Sequence, residues 1–193
     1  MEVSEVFADL PRLETDRLVL RRAASSDVAD VFAYASDPEV ARHSTWEPHD
    51  SLDASRTFVA SLLAHYAAAE VANWVVVLKG EDRVVGTCGF VYWNPRHNRA
   101  EIGYALARRL WGRGLMTEAA FKVCDFGFDV MGCNRLEARC LPENIASARV
   151  MEKLGMTFEG VVREQVYVKG AYRDLRLYSL LRRERPGGHG GHP

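Results

Sequence analysis

Between Asn73 and Leu106 three strand-length segments follow one another, Asn73–Lys79, Arg83–Trp93 and Arg99–Leu106, parted only by the turn signals Gly80-Glu81-Asp82 and Asn94-Pro95. A chain with that middle is committed to a sheet, and its flanks decide what covers it. On the N-terminal side a short strand at Arg17–Arg22 leads through Ser25-Ser26-Asp27, side chains suited to helix capping. The helix that follows carries Val28, Val31, Phe32 and Ala35 at helical spacing, and Pro38 is expected to stop it. A polar, histidine-bearing segment from Arg42 to Asp50 precedes a second helix, from about Asp53 to Ala69, with Phe58, Leu62 and Tyr66 on one face. On the C-terminal side Gly112-Arg113-Gly114 opens a helix whose apolar stripe is Met116, Ala119, Ala120, Val123 and Phe126, with Gly132 placed to end it. Arg135–Cys140 alternates, Leu136, Ala138 and Cys140 against Arg135, Glu137 and Arg139, as a half-buried strand does. Asn144 caps a further helix closed by Gly155, and the remainder reads as a hairpin turning at Lys169-Gly170. The order β-α-α-β-β-β-α-β-α-β-β predicts a mixed sheet covered by helices, an α/β (α+β layered) fold.

At 193 residues the chain fits one domain, here 13–184, with an N-terminal extension at 1–12 and a Gly/His tail at 185–193 that has no apolar residue to bury. His189 and His192 on that glycine-rich tether make a poor metal site, so no metal is expected. A formal net charge of −1 removes the electrostatic case for nucleic-acid binding, because no excess of cations exists to release counterions. Met1–Asp16 is acidic and lacks the apolar core of a secretory signal. No uninterrupted apolar run reaches membrane-spanning length, so a cytoplasmic protein without a membrane partner is expected. Cys88, Cys124, Cys133 and Cys140 form no Cys-x-x-Cys pair and read as reduced core side chains.

The segment most informative about chemistry runs from Arg108 through Gly112 and Gly114 to Thr117. It follows a strand and opens a helix, where free backbone N–H groups and close-approach glycines make an anion site, with Arg108, Arg109 and Arg113 adding positive charge. It lacks the lysine and Ser/Thr of a Walker A loop and the three glycines of a dinucleotide fingerprint.

Together with Ala100-Glu-Ile-Gly-Tyr104, Asn144-Ile-Ala-Ser147, Glu152-Lys-Leu-Gly-Met156, Leu13-Glu-Thr-Asp-Arg-Leu18 and Gly170-Ala-Tyr-Arg-Asp174, this segment resembles the GNAT-superfamily N-acetyltransferases, most closely the RimJ/RimL type that acetylates ribosomal-protein N-termini. The resemblance spans about Leu13 to Leu181. It implies the GNAT fold, with helices on both faces of the sheet, and acetyl-CoA as donor. It also implies a pyrophosphate site in the loop Trp111, Gly112, Arg113, Gly114, Leu115, Met116 and Thr117. Aligned on Gly114, Trp111 stands where the family has Gln or Arg, and Met116 where it has a small residue. Ile102 and Tyr104 would line the pantetheine arm through their main chain, Asn144 would touch the cofactor, and Ser147 would face its sulfur.

Acetyl transfer to an amine needs few groups: a neutral amine, an N–H that stabilises the oxyanion, and help for the departing thiolate. At pH 7 an α-amine with pKa near 7.8 is about 14% neutral, a lysine near 10.4 only about 0.04%. An N-terminal acceptor therefore needs the weaker base. Strand alternation sets Glu101 on the face opposite Ala100 and Ile102, making it either that base or an ion-paired strand glutamate. Ser147 is either the group that assists the thiolate or the cap of its helix; Tyr104, Tyr167 and Tyr172 are other possible donors. Trp46 is expected to wall the acceptor pocket, Glu47 to attract the amine, and Trp93 to border the same cleft. The acceptor is read as a protein N-terminus, with a small amine or a non-catalytic acyl-CoA-binding module as alternatives, and a homodimer is left open.

Overall fold

The structure is a computed structural model that describes residues 2–185. Eight strands form one sheet: β1 (Leu13–Glu14), β2 (Leu18–Arg21), β3 (Asn73–Leu78), β4 (Arg83–Asn94), β5 (Arg99–Leu106), β6 (Arg135–Cys140), β7 (Thr157–Val168) and β8 (Ala171–Leu181). They lie in the order β1-β2-β3-β4-β5-β6-β8-β7, and only β5 with β6 is parallel. The helices among the described residues are α1 (Val3–Phe7), α2 (Val28–Ala35), α3 (Pro38–Ala41), α4 (Leu52–Ala67), α5 (Leu115–Asp129) and α6 (Ile145–Lys153). The mixed sheet read from the sequence is present, with α1, β1 and α3 as additions to the expected order.

Two additions have local causes. Helix α2 ends before Pro38 as expected, but the proline then takes the first position of α3, where its missing N–H has no helical partner to lose. Asp37 caps that turn by accepting from the Glu39 N–H at 2.9 Å. Helix α1 brings Phe7, 1% exposed, edge-on to Phe90 at 6.4 Å and against Trp93 at 6.1 Å, so residues 2–12 contribute to the core. Of the tail expected from Arg185 onward, Arg185 itself pairs with Asp125 and Asp129 of α5. Residues 186–193, with His189 and His192, lie outside the described residues.

Alternation along β5 divides the two helical layers. Ala100 and Ile102 are buried on the side of α5, while Ala105 stands opposite Thr87, which holds the Tyr34 hydroxyl of α2 on the other side. Strand β5 pairs with β6 only from Arg99↔Arg135 to Ile102↔Ala138. Beyond that point β5 stays with β4 as far as Leu106↔Gly86, while β6 follows β8 to Cys140↔Arg176. A wedge therefore opens in the middle of the sheet, and Gly103, Tyr104 and Ala105 are half-buried where a central strand is normally covered.

Because Phe7 fills an aromatic pocket beneath β4, Phe7→Ala is predicted to lower unfolding free energy by about 3 kcal/mol in urea titration. A midpoint equal to that of the unaltered chain would show that α1 contributes nothing to the core.

Candidate active site

At the open end of the wedge, the loop from Trp111 to Gly114 is exposed and α5 begins at Leu115. Gly112 and Gly114 have φ values of 74° and 75°, a left-handed conformation that glycine adopts without strain. The first bond of the helix is Glu118 N–H to Gly114 O, and the N–H groups of Gly112 to Thr117 have no acceptor among the described residues. Six free donors on a glycine-bearing turn at the positive end of a 15-residue helix form a cradle for a phosphate group. The side chain of Met116 is buried, so this residue offers its backbone alone. Trp111 donates its indole N–H to Leu106 O at 2.7 Å, a bond that ties the loop to the end of β5.

The sequence reading overlooked what fixes this loop. Glu118, in the first turn of α5, accepts from Thr15 Oγ1 at 2.5 Å, from the Arg17 backbone N–H at 3.0 Å and from Arg17 Nε at 2.7 Å. Arg17 Nη1 also donates to Arg113 O at 3.0 Å. Burial pushes the Glu118 carboxyl up, yet the bonds from Thr15 and Arg17 outweigh it and hold the group below the usual carboxylate range. The available signal was the Thr15-Asp16-Arg17 stretch, a hydroxyl, a carboxylate and a guanidinium in succession just before a strand.

Where β6 departs, Tyr104 reaches α6: its hydroxyl lies 3.0 Å from Ser147 Oγ and 3.2 Å from Ser147 O. Asn144 is the cap of α6, its side-chain oxygen accepting from the Ser147 N–H at 3.0 Å, and its Nδ2 donates to His43 O at 3.4 Å. Ser147 is therefore released from capping. Asn144 and Ser147 are adjacent here, as the motif implied.

Glu101 faces the opposite side of the sheet. It lines a cavity of about 310 Å³ with Tyr92, Arg99, Glu137, Arg139, Gln165 and Val166. Arg139 pairs with Glu101 and, at 2.8 Å, with Glu137. Glu137, expected on an exposed face, is 5% exposed, and its burial is made tolerable by Arg135 at 2.7 Å, Arg139 and Arg99 at 3.5 Å. Arg135 in turn binds Glu159, whose carboxyl it holds at about 2 with help from Ser179. Burial pushes the Glu101 carboxyl up, and Arg139 offsets this only in part. Glu101 is thus ion-paired, one of the two things the sequence left open, and its proton affinity is raised above that of an ordinary glutamate.

The acceptor-side residues separate. Trp46 is half-buried against the core and stacks near His49 at 5.8 Å, while Glu47 is exposed. The start of the loop that carries them is held by Asn144 at His43 O and by Lys169 of the β7–β8 turn, whose Nζ donates to Ala41 O at 2.5 Å. Trp93 does not join them. A bulge leaves Val91 without a partner between Phe90↔Ile102 and Tyr92↔Glu101, so Tyr92 turns to the Glu101 side and Trp93 turns under the sheet against Phe7. All four cysteines are buried and unpaired, and burial pushes Cys124 and Cys133 up to about 12, which leaves no thiolate for nucleophilic chemistry.

A wedge beside a phosphate cradle matches what comparison with known proteins returns. Residues 17–157 match the acetyltransferase (GNAT) domain family. The chain belongs to the GNAT acetyltransferases. It is 35% identical over 175 residues to the uncharacterized N-acetyltransferase p20 of Bacillus licheniformis, covering 91% of this chain and 98% of that protein. A GNAT-family acetyltransferase from Bacillus anthracis superposes with a TM-score of 0.80 at 30% identity, over 90% of this chain and 100% of its own. The ribosomal-protein-S5-alanine acetyltransferase of Vibrio fischeri superposes with a TM-score of 0.73 at 25% identity, over 91% and 100%. GNAT acetyltransferases use acetyl-CoA, and the undonated N–H groups of residues 112–117 fit its diphosphate. No helix among the described residues is long and apolar enough to cross a membrane.

Arg17→Gln would leave the Glu118 carboxylate unneutralised beside the phosphate cradle. It is predicted to raise KM for acetyl-CoA about tenfold, with kcat kept at saturation, because the lost contact serves donor binding in ground and transition state alike. Steady-state kinetics check this, and an unchanged KM would mean that the clamp does not shape the loop.

Proposed function

We propose that this GNAT acetyltransferase transfers the acetyl group of acetyl-CoA to a protein N-terminal α-amine, by direct attack and without a covalent enzyme intermediate. The observation that carries the reading is Glu101: a half-buried carboxylate, raised in proton affinity, on the floor of a cleft whose charges are otherwise balanced. Residues 111–117 hold the diphosphate, the β5 edge at Ile102 and Tyr104 receives the pantetheine arm, and Ser147 lies at the thioester sulfur. Bound there, acetyl-CoA supplies an activated carbonyl carbon.

The chain's own part is to align the amine and manage its proton. Glu101 accepts that proton directly or through one water. Arg139 holds one of its oxygens, and the other has no hydrogen-bond partner among the described residues. An α-amine asks no more than this, since an appreciable fraction is already neutral at pH 7. The charge pattern also separates acceptors. Glu101, Glu137 and Glu159 are each matched by arginine, so the cleft offers no surplus of negative charge to a polycation such as a polyamine or aminoglycoside. Trp46 and Glu47, on the loop held by Asn144 and Lys169, form the acceptor-side wall in this reading. The likeness to an enzyme named for ribosomal protein S5 supports the same class of acceptor.

The test is thiol release from acetyl-CoA with peptides bearing free Ala, Ser or Met termini, the same peptides blocked, and a set of small amines. Release confined to free peptide termini is expected, and release confined to small amines would move the function to metabolite modification. Below its raised pKa Glu101 is protonated and cannot accept, so kcat/KM is predicted to fall as pH drops through that value. Glu101→Gln should remove this limb and lower kcat/KM about 100-fold. A Glu101→Gln enzyme with an unaltered pH profile would exclude Glu101 as the base.

A further inference from the structure

Ser147 has a hydroxyl to spare, because Asn144 caps α6 in its place. A lone serine hydroxyl at a helix start rotates freely and aims its hydrogen nowhere in particular. Here it does not stand alone. The Tyr104 hydroxyl sits 3.0 Å from Ser147 Oγ and 3.2 Å from Ser147 O, so its single hydrogen can be shared between two acceptors of the same residue, with the hydroxyl oxygen the nearer. A phenol is a stronger acid than an aliphatic alcohol and is the natural donor of such a pair. Once Ser147 Oγ accepts from Tyr104, its own hydrogen is left to point into the wedge. Tyr104 stands on β5 two residues past the last pairing with β6, with its ring against the core, and among the described residues its hydroxyl hydrogen-bonds to Ser147 and to no charged side chain.

We propose that Tyr104 is a positioning residue for acetyl transfer: its phenol holds the Ser147 hydroxyl so that the serine hydrogen meets the departing sulfur. This rests on the reading that Ser147 lies at the thioester sulfur. In the step, the amine nitrogen forms its bond to the acetyl carbon and the carbon–sulfur bond breaks, its electron pair leaving on sulfur. The amine proton passes to Glu101. Ser147 keeps its own proton and donates a hydrogen bond to the thiolate, which later takes a proton from solvent. Burial pushes the Tyr104 phenol up, so it stays protonated and remains a donor throughout the neutral range.

The experiment compares Tyr104→Phe, Ser147→Ala and the double variant, each first shown to unfold at a urea midpoint near that of the unaltered chain. Kinetics with acetyl-CoA are expected to show kcat about tenfold lower in Tyr104→Phe with KM for acetyl-CoA unchanged. The double variant should be no slower than Ser147→Ala alone, since the phenol acts only through the serine. A second readout does not depend on turnover: the ultraviolet absorbance of the thiolate of bound CoA, followed against pH, should show its thiol titrating at higher pH in both single variants. If Ser147→Ala loses activity while Tyr104→Phe keeps kcat and the thiol titration, the inference fails and the reading of Ser147 stands. If effects multiply in the double variant, Tyr104 acts independently of Ser147 and the inference fails. If Ser147→Ala itself keeps kcat and the thiol titration, the placement of Ser147 fails and the inference with it.

Discussion

One parallel pairing governs the molecule. The β5–β6 ladder ends at Ile102↔Ala138 although both strands continue, because each has a stronger claim elsewhere, β5 on β4 and β6 on β8. A sheet that stayed closed would bury Tyr104 and leave no interior backbone free. By splitting, it exposes the end of β5 beside two helix starts, that of α5 tied in by Trp111 at Leu106 O and that of α6 by Ser147 at the Tyr104 hydroxyl. The loop that opens α5 and the cap that opens α6 are then brought to one place by topology and not by sequence proximity.

The face opposite the wedge is organised by charge. Burying Glu137 alone would be prohibitive, and three arginines from β5 and β6 meet it. The ladder extends through Arg135 to Glu159 on β7, so the floor of the cleft is stiff and electrically balanced. Within it Glu101 is the carboxylate with a single arginine partner and a raised proton affinity. Balance in the surroundings and asymmetry at one residue are what a base for a weakly basic amine requires.

Much of this was legible before any coordinates. Period-two runs gave β3 to β6 to within a residue or two, and the two glycines marked the start of α5, because these signals are local. Trp93 was not legible: plain alternation sets it beside Glu101, and only the bulge at Val91 turns it under the sheet. Glu137 was misjudged for a related reason. Its alternation was read correctly, but the arginines that bury it include Arg99 on another strand, and no local pattern reports a neighbour across the sheet. The glycine turn that opens α5 was legible while its anchor was missed, since Thr15 and Arg17 lie about a hundred residues from Glu118. The loop that follows α3 remained the least legible part, its start fixed by Asn144 and Lys169 from distant elements.

The separation of Arg17 from Glu118 has a consequence for how the chain folds. The loop shaped by Arg17 and Glu118 acquires its form only after β2 has joined a sheet whose partners are scattered along the sequence, a late event in a topology rich in long-range contacts. The turn of free N–H groups at the start of α5 is thus a property of the finished sheet and has no counterpart in a half-folded chain. A donor that binds only the finished form draws the folding equilibrium toward it by mass action. In a cell with ample acetyl-CoA, the nucleotide would act as a staple across the chain as well as a reactant.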